Sequence, residues 1–163
     1  MGPRFRVYTN TDVIGSESAG ALKNVMALAA GMAEGLGFGL NTVSMLMTRA
    51  LVEMSRLGVA MGGRTTTFAG LAGMGDLIAT CMSTESRNHR VGLGLGLGKT
   101  IDEITSEMNM VAEGVKSTSG ILALADRYDV EMPIAEQVGQ VLYEGASVPE
   151  AIATLMGRSA KPE

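Results

Sequence analysis

Residues 9–39, TNTDVIGSESAGALKNVMALAAGMAEGLGFG, decide the fold of this chain. Small and apolar residues fill most of the run, which predicts one long helix that ends in the glycine-rich residues 35–39. Thr11 or Asp12 is the predicted N-cap, because both side chains can accept a hydrogen bond from the first turn. We expect the other elements of the chain to be organised around this helix.

A single cation, Lys23, lies near the middle of the predicted helix. At helical spacing its neighbours are mostly small, namely Ala19, Gly20, Met26 and Ala27. Small neighbours leave room beside the ammonium for a molecule that is not protein, and the ammonium can exchange a proton with it. The ordinary alternative is a lysine that lays its stem along the helix and keeps its charge in water.

The composition limits the class of protein. The chain has 163 residues, which fits one domain, and 13 Met, no Trp and 4% aromatic residues predict an aliphatic, helical core. A net charge of -4 argues against a general nucleic-acid surface. One Cys and one His make neither an internal disulfide nor a closed zinc site, so we expect a reducing, cytoplasmic setting and no metal. We expect neither a membrane span nor a secretory leader.

A second helix is predicted over residues 42–61, with Asn41 as its cap. Its apolar side chains fall on one stripe, predicted to be buried: Val43, Met47, Ala50, Leu51, Met54, Leu57 and Met61. Its charged side chains form a ladder, predicted to be exposed: Arg49, Glu53 and Arg56.

The remaining chain predicts further helices, some of them short. Thr100 with Glu103, and Ser147 with Glu150, are predicted capping boxes. Glycine alternates with leucine over residues 92–98, which is poor helix material.

Residues 5–8 are the one strand-like run. We therefore predict an all-α domain of about seven or eight helices over residues 9–163. Residues 1–8 are then the end of another domain or a cloning remnant.

Two glycine patterns resemble nucleotide-binding loops, but neither meets the requirements of such a loop. Residues 35–39 follow a predicted helix rather than a strand. Residues 98–100 end like a phosphate-binding loop, but its first glycine would fall at Leu93.

A more informative cluster is Ser86, Arg87 and Asn88 at a predicted helix start. A hydroxyl, a guanidinium, an amide and free backbone N–H groups are the parts of a phosphate site. The ordinary alternative is a helix cap with a solvated arginine. Asp76 either caps a short helix or holds an ammonium, and Glu113 is by default a helix-start acid.

Eight short motifs occur in an order that resembles the C-terminal, substrate-binding domain of bacterial NAD(P)-dependent glycerol-3-phosphate dehydrogenase. In chain order they are TNTD (9–12), GALKNV (20–25), AGM (30–32), GLGFG (35–39), GLAGMGDL (70–77), SRN (86–88), MVAEG (110–114) and MPI (132–134). The resemblance covers nearly the whole chain. It implies an all-helical fold like the C-terminal domain of 6-phosphogluconate dehydrogenase-type enzymes.

The resemblance also implies roles for individual residues. Lys23 is implied to be the catalytic lysine, which exchanges a proton with the secondary hydroxyl of glycerol 3-phosphate or the ketone of dihydroxyacetone phosphate. The implied substrate-binding residues are Lys23, Asp76, Ser86, Arg87 and Asn88. The residues implied to touch NAD or NADP are Arg87, Val111 and Glu113.

The resemblance further implies an oxidoreductase that supplies glycerol 3-phosphate for glycerophospholipid synthesis, and a homodimer. The N-terminal half of the family's proteins, which holds most of the dinucleotide, is absent from this sequence. Residues 5–8 resemble the last strand of that half. We therefore expect the chain alone to bind cofactor poorly and to be nearly inactive. Two alternatives stay open: a non-catalytic helical dimerisation or interaction module, and the substrate domain of a related dehydrogenase with another phosphorylated or acidic substrate.

Overall fold

The computed structural model describes residues 2–108 and 112–159, and within them it contains nine α-helices and one π-helical segment. The elements in chain order are α1 (Val13–Gly35), α2 (Leu40–Ala60), α3 (Thr65–Phe68), the π-helical segment (Leu71–Gly75), α4 (Asp76–Met82), α5 (Arg87–Gly96), α6 (Ile101–Glu107), α7 (Glu113–Arg127), α8 (Pro133–Tyr143) and α9 (Val148–Met156). The predicted all-α class is confirmed.

The central element is α1, which contacts α2, α4, α5, α7 and α8. Asp12 is its N-cap, and the carboxylate accepts a hydrogen bond from the Gly15 N–H at 2.9 Å. The same carboxylate accepts hydrogen bonds from the Thr67 hydroxyl at 2.7 Å and the Arg64 N–H at 2.8 Å. These bonds, that of Thr67 foremost, lower the pKa of Asp12. One carboxylate therefore starts α1 and ties α3 to it.

The closest helix pair is α1 and α5, whose backbones touch. A Cβ on Gly31 would lie 2.1 Å from the His89 carbonyl oxygen, and a Cβ on Gly92 would lie 2.0 Å from the Leu28 carbonyl oxygen. Glycine is required where two helices approach so closely. The prediction that residues 92–98 are poor helix material is therefore wrong for most of the run, because tertiary contact outweighs a propensity cost of about 1 kcal/mol per glycine.

The second helix differs from prediction at two places. Gly39 is the N-cap of α2, and Asn41 lies inside the helix. Glu53, predicted to be exposed, is only 4% exposed. Its two carboxylate oxygens accept the Ile134 N–H at 3.0 and 3.1 Å, so Glu53 serves the first turn of α8 from another helix. Burial raises the pKa of Glu53 to about 7.

Both predicted capping boxes are confirmed. The Thr100 hydroxyl accepts the Glu103 N–H at the start of α6, and the Ser147 hydroxyl accepts the Glu150 N–H at the start of α9. Each glutamate accepts hydrogen bonds in return, which lowers the pKa of both carboxyl groups.

The strand-like residues 5–8 belong to no strand in the part of the chain that the structure describes. An isolated antiparallel bridge joins Gly2 to Phe5, and the apolar side chains of the run are exposed. A strand needs a partner to satisfy its backbone, and the described helices offer none. None of the described helices combines the length and the hydropathy needed to cross a membrane.

Candidate functional site

Lys23 and Asp76 form an ion pair between α1 and α4. Asp76 is the first residue of α4 and Gly75 takes the N-cap position, so the structure shows the arrangement in which the carboxylate holds an ammonium. The Lys23 side chain is 19% exposed and that of Asp76 is 43% exposed. The pair therefore lies at the edge of the fold, where a dissolved molecule can reach it.

Thr80 extends this pair by one helical turn. Its hydroxyl donates to the Asp76 carbonyl oxygen at 2.6 Å and lies 3.4 Å from the Asp76 carboxylate. A hydroxyl at this place can also accept a hydrogen bond from a ligand.

Beside the pair lies an open cleft of about 380 Å³. It is walled by α1, α4, the loop after α4, and the N-terminal ends of α5 and α7: Asn24, Ala79, Thr80, Ser83, Glu85, Ser86, Arg87, Asn88 and Glu113. Lys23 and Asp76 are not lining residues themselves. They border the cleft through Asn24, which follows Lys23, and through Thr80, which is bonded to Asp76.

The start of α5 forms one end of the cleft. Ser86 is the N-cap, and its hydroxyl accepts the His89 N–H at 3.3 Å. Arg87 follows as the first helical residue and is exposed. Asn88 is 8% exposed, and its amide oxygen accepts the Gly114 N–H at 2.9 Å. The three predicted residues thus share the cleft, but the Asn88 oxygen is engaged by α7.

Glu113 is the first residue of α7 and is exposed in the same cleft. Val111, the other residue implied to touch the cofactor besides Arg87, lies outside the described residues. Arg87 and Glu113 offer a cation and a hydrogen-bond acceptor, which fit contact with one edge of a dinucleotide. The described residues contain no strand followed by a glycine loop and a helix, so they do not fit the rest of that molecule.

The charges of the cleft are unevenly placed. Among its described lining residues Arg87 is the one cation, and Glu85 and Glu113 are carboxylates. An anion is therefore attracted to the α5 end rather than to the cleft as a whole, because the guanidinium and the helix N-terminus lie there.

Cys81 and His89 are both buried. Burial raises the pKa of the Cys81 thiol to about 12. The His89 Nε2 lies 3.1 Å from a carboxylate oxygen of Glu34, which links α5 to α1. The described residues contain no group of side chains placed to hold a metal ion.

Sequence reasoning missed five residues that line the cleft: Asn24, Ala79, Thr80, Ser83 and Glu85. The helical period gives a signal for one of them, because Thr80 lies four residues after Asp76 on the same helix face. Asn24 directly follows Lys23, but only the packing of the other helices around α1 shows that it lines the cleft. Ser83 and Glu85 lie in a loop that carries no periodic signal.

Comparison with known proteins gives a consistent result. The model of the family described as "NAD-dependent glycerol-3-phosphate dehydrogenase C-terminus" matches residues 12–153. A protein of Desulfitobacterium hafniense named glycerol-3-phosphate dehydrogenase [NAD(P)+] is 55% identical over 100% of this chain and 46% of its own length. A protein of the same name from Citrifermentans bemidjiense is 57% identical over 98% of this chain and 48% of its own length.

Solved structures agree with the sequence comparison. A glycerol-3-phosphate dehydrogenase from Coxiella burnetii superposes with a TM-score of 0.92 at 42% identity, over 97% of this chain and 49% of that one. A yeast glycerol-3-phosphate dehydrogenase superposes with a TM-score of 0.85 at 30% identity, over 95% of this chain and 46% of that one. The chain spans about half the length of the curated relatives that it matches.

Proposed function

Because the chain belongs to the family of NAD-dependent glycerol-3-phosphate dehydrogenase C-terminal domains, we propose that it is the substrate-binding and proton-transferring half of such an enzyme. The proposed reaction interconverts glycerol 3-phosphate and dihydroxyacetone phosphate with NAD(P)H, and it supplies glycerol 3-phosphate for glycerophospholipid synthesis. The observation that carries the proposal is the Lys23–Asp76 pair beside a cleft that Ser86 and Arg87 line.

The phosphate end of the substrate is proposed to lie at the start of α5. The guanidinium of Arg87 suits a phosphate because it is planar, multidentate and always charged. The Ser86 hydroxyl and the first backbone N–H groups of α5 add neutral donors at the same end. The amide oxygen of Asn88 is already bonded to α7, so Asn88 is proposed to act through its position in the first turn of α5.

The three-carbon end is proposed to reach Lys23. When bound, NAD(P)H supplies the hydride for reduction of the ketone. Negative charge develops on the ketone oxygen, and the Lys23 ammonium stabilises that oxygen and then gives it a proton. In the opposite direction the neutral amine takes the proton from the secondary hydroxyl. Asp76 holds the amine at this place, and the Thr80 hydroxyl, bonded to the Asp76 carbonyl oxygen, lies beside the carboxylate.

The dinucleotide is proposed to be held mainly by a nucleotide-binding half like that of the longer relatives. On this chain Arg87, Val111 and Glu113 would touch it. Exposed apolar side chains support a covering partner, since Leu71 is 67% exposed and Met82 is 48% exposed. The proposed partner is the nucleotide-binding half. We also predict that the chain forms a homodimer. A cytoplasmic location completes the proposal and suits the free thiol of Cys81.

A ligand titration tests the substrate assignment. On adding glycerol 3-phosphate to the labelled chain, we expect amide NMR shifts at residues 86–88 and at Lys23. Arg87→Met should weaken binding by about tenfold or more, since a charge-assisted contact is lost. Arg127→Met, which removes an exposed arginine of α7 outside the cleft, is the matched control. No shift at millimolar ligand would favour the interaction module.

Two further measurements separate the remaining alternatives. Glycerol and inorganic phosphate, each tested alone, show whether both ends of the substrate contribute to binding. A tighter response to another phosphorylated or carboxylic compound would favour a related dehydrogenase. In the presence of dihydroxyacetone phosphate, NADH should be oxidised no faster with the chain alone than in buffer without it. Clear turnover would contradict the need for a nucleotide-binding half.

A further inference from the structure

The N-terminus of α7 is fixed by a side chain from α5. The Asn88 amide oxygen accepts the Gly114 N–H at 2.9 Å, and both residues are buried. Gly114 is the second residue of α7, and Ala112, the N-cap, makes no side-chain cap. The first N–H groups of a helix have no partner within the helix. Asn88, a residue of another helix, therefore accepts the N–H that a capping side chain of α7 would otherwise accept.

Gly114 also permits the close approach. A Cβ at this position would lie 2.8 Å from the Asn88 amide oxygen and 2.7 Å from the Asn24 carbonyl oxygen. On the inner side of the helix, the Thr118 hydroxyl donates to the Gly114 carbonyl oxygen at 2.6 Å, and Thr118 is fully buried. The first turn of α7 is thus held against α1 and α5 at once.

The junction joins two parts of the cleft wall. Asn88 directly follows Arg87, which is proposed to bind phosphate, and Gly114 directly follows Glu113, which is predicted to contact the cofactor. We propose that Asn88 is a positioning residue whose hydrogen bond to Gly114 sets Glu113 relative to Arg87, so that a ligand bound at Arg87 shifts Glu113. The part that concerns ligands rests on the proposed function.

The junction itself is tested without ligand, by amide hydrogen exchange at Gly114. In the wild-type chain we expect this amide to be protected, although a second helical residue is ordinarily open to exchange. Asn88→Ala should lower its protection by about tenfold or more, since the acceptor is lost. Asn88→Asp keeps an acceptor oxygen and should retain most of the protection. An unprotected Gly114 amide in the wild-type chain overturns the proposal with no variant needed, and so does equal protection in wild type and Asn88→Ala.

The coupling is tested with glycerol 3-phosphate and a pair of glycine variants on α7. In the wild type, amide shifts at residues 86–88 and 113–115 should follow one binding curve. Gly114→Ala forces the helix start away from Asn88 and should abolish the shifts at residues 113–115 while those at residues 86–88 persist. Gly120→Ala is the matched control, because a Cβ there meets nothing within 4 Å, and it should respond as the wild type does.

The outcomes distinguish the two proposals. If Gly114→Ala transmits the shift as the wild type does, the coupling is wrong. If the wild type shows no shift at residues 86–88, the proposed substrate is wrong, while the exchange at Gly114 still decides whether Asn88 positions α7. Should Gly114→Ala fail to fold, the ligand-free exchange at Gly114 decides whether Asn88 positions α7, since Asn88→Ala should lose the protection and Asn88→Asp keep most of it.

Discussion

Glu53 should make this domain less stable as the pH rises towards neutrality. The carboxyl group is buried, and its oxygens accept the Ile134 N–H at the start of α8. Burial raises its pKa from 4.5 to about 7, against the opposing effect of the hydrogen bonds from the backbone of α8. Glu136 raises the pKa further, and Arg49 lowers it. The folded chain therefore keeps a proton that the unfolded chain releases.

The size of the effect follows from that pKa difference. Each pKa unit corresponds to about 1.4 kcal/mol, so this carboxyl group alone withdraws about 3 kcal/mol of the free energy of unfolding between about pH 4.5 and about pH 8. The contribution is fully present below about pH 4.5 and is lost as the pH passes through 7. An ordinary surface carboxylate in an ion pair has the opposite sign, because its pKa is lowered by folding.

Glu53→Gln isolates this group. The glutamine keeps an oxygen acceptor for Ile134 and cannot titrate, so the other ionisable groups cancel when variant and wild type are compared at each pH. Urea unfolding is followed by circular dichroism from about pH 5 to about pH 8. Over this range the free energy of unfolding of the variant should rise relative to that of the wild type by about 2.5 kcal/mol. Glu17→Gln, on the exposed side of α1, is the control and should show no such gain. A difference that is constant with pH, or that favours the wild type at higher pH, would refute the burial argument.

Three further predictions concern packing, capping and reactivity. Gly31→Ala should lower the free energy of unfolding by about 2 kcal/mol or more, since its Cβ would lie 2.1 Å from the His89 carbonyl oxygen. Gly20→Ala on the same helix is the control: its Cβ meets nothing within 4 Å, and the change should raise the free energy of unfolding by about 0.5–1 kcal/mol. Thermal denaturation of both variants measures the difference. Thr100→Ala should cost about 1 kcal/mol in urea unfolding, because the α6 N-cap is lost. Cys81, buried and with its thiol pKa raised to about 12, should react with iodoacetamide only as fast as the chain unfolds, and rapid labelling of the native chain would show that the thiol is accessible.

Local patterns in the sequence predict the elements whose cause is local. The N-cap at Asp12, the box of Thr100 with Glu103 and the long helix α1 all depend on neighbours within a few residues, and the structure confirms them. The pairing of Lys23 with Asp76 joins residues far apart in sequence. The resemblance implies that both residues bind substrate, but the ion pair itself follows from the packing of α4 against α1.

The errors have non-local causes. Glu53 falls on the charged face of its own helix, and only the arrival of α8 at that face buries it and gives it the Ile134 N–H. The glycines of α5 lower its helix propensity, and only the contact with α1 shows why they are there. The sequence of a single helix predicts neither the burial of Glu53 nor the need for these glycines, because each depends on the contact between two helices.

The same contact between helices determines the distance across the candidate site. Lys23 lies about two turns before Gly31 on α1, and Arg87 lies more than one turn before Gly92 on α5. At Gly31 and Gly92 the two backbones touch, so the separation of the Lys23 and Arg87 backbones depends on rigid helices and a glycine contact. A methyl group at Gly31 would therefore do more than destabilise the domain. It should also widen the gap that a three-carbon phosphate has to span, and so weaken glycerol 3-phosphate binding although Gly31 is not among the lining residues of the cleft.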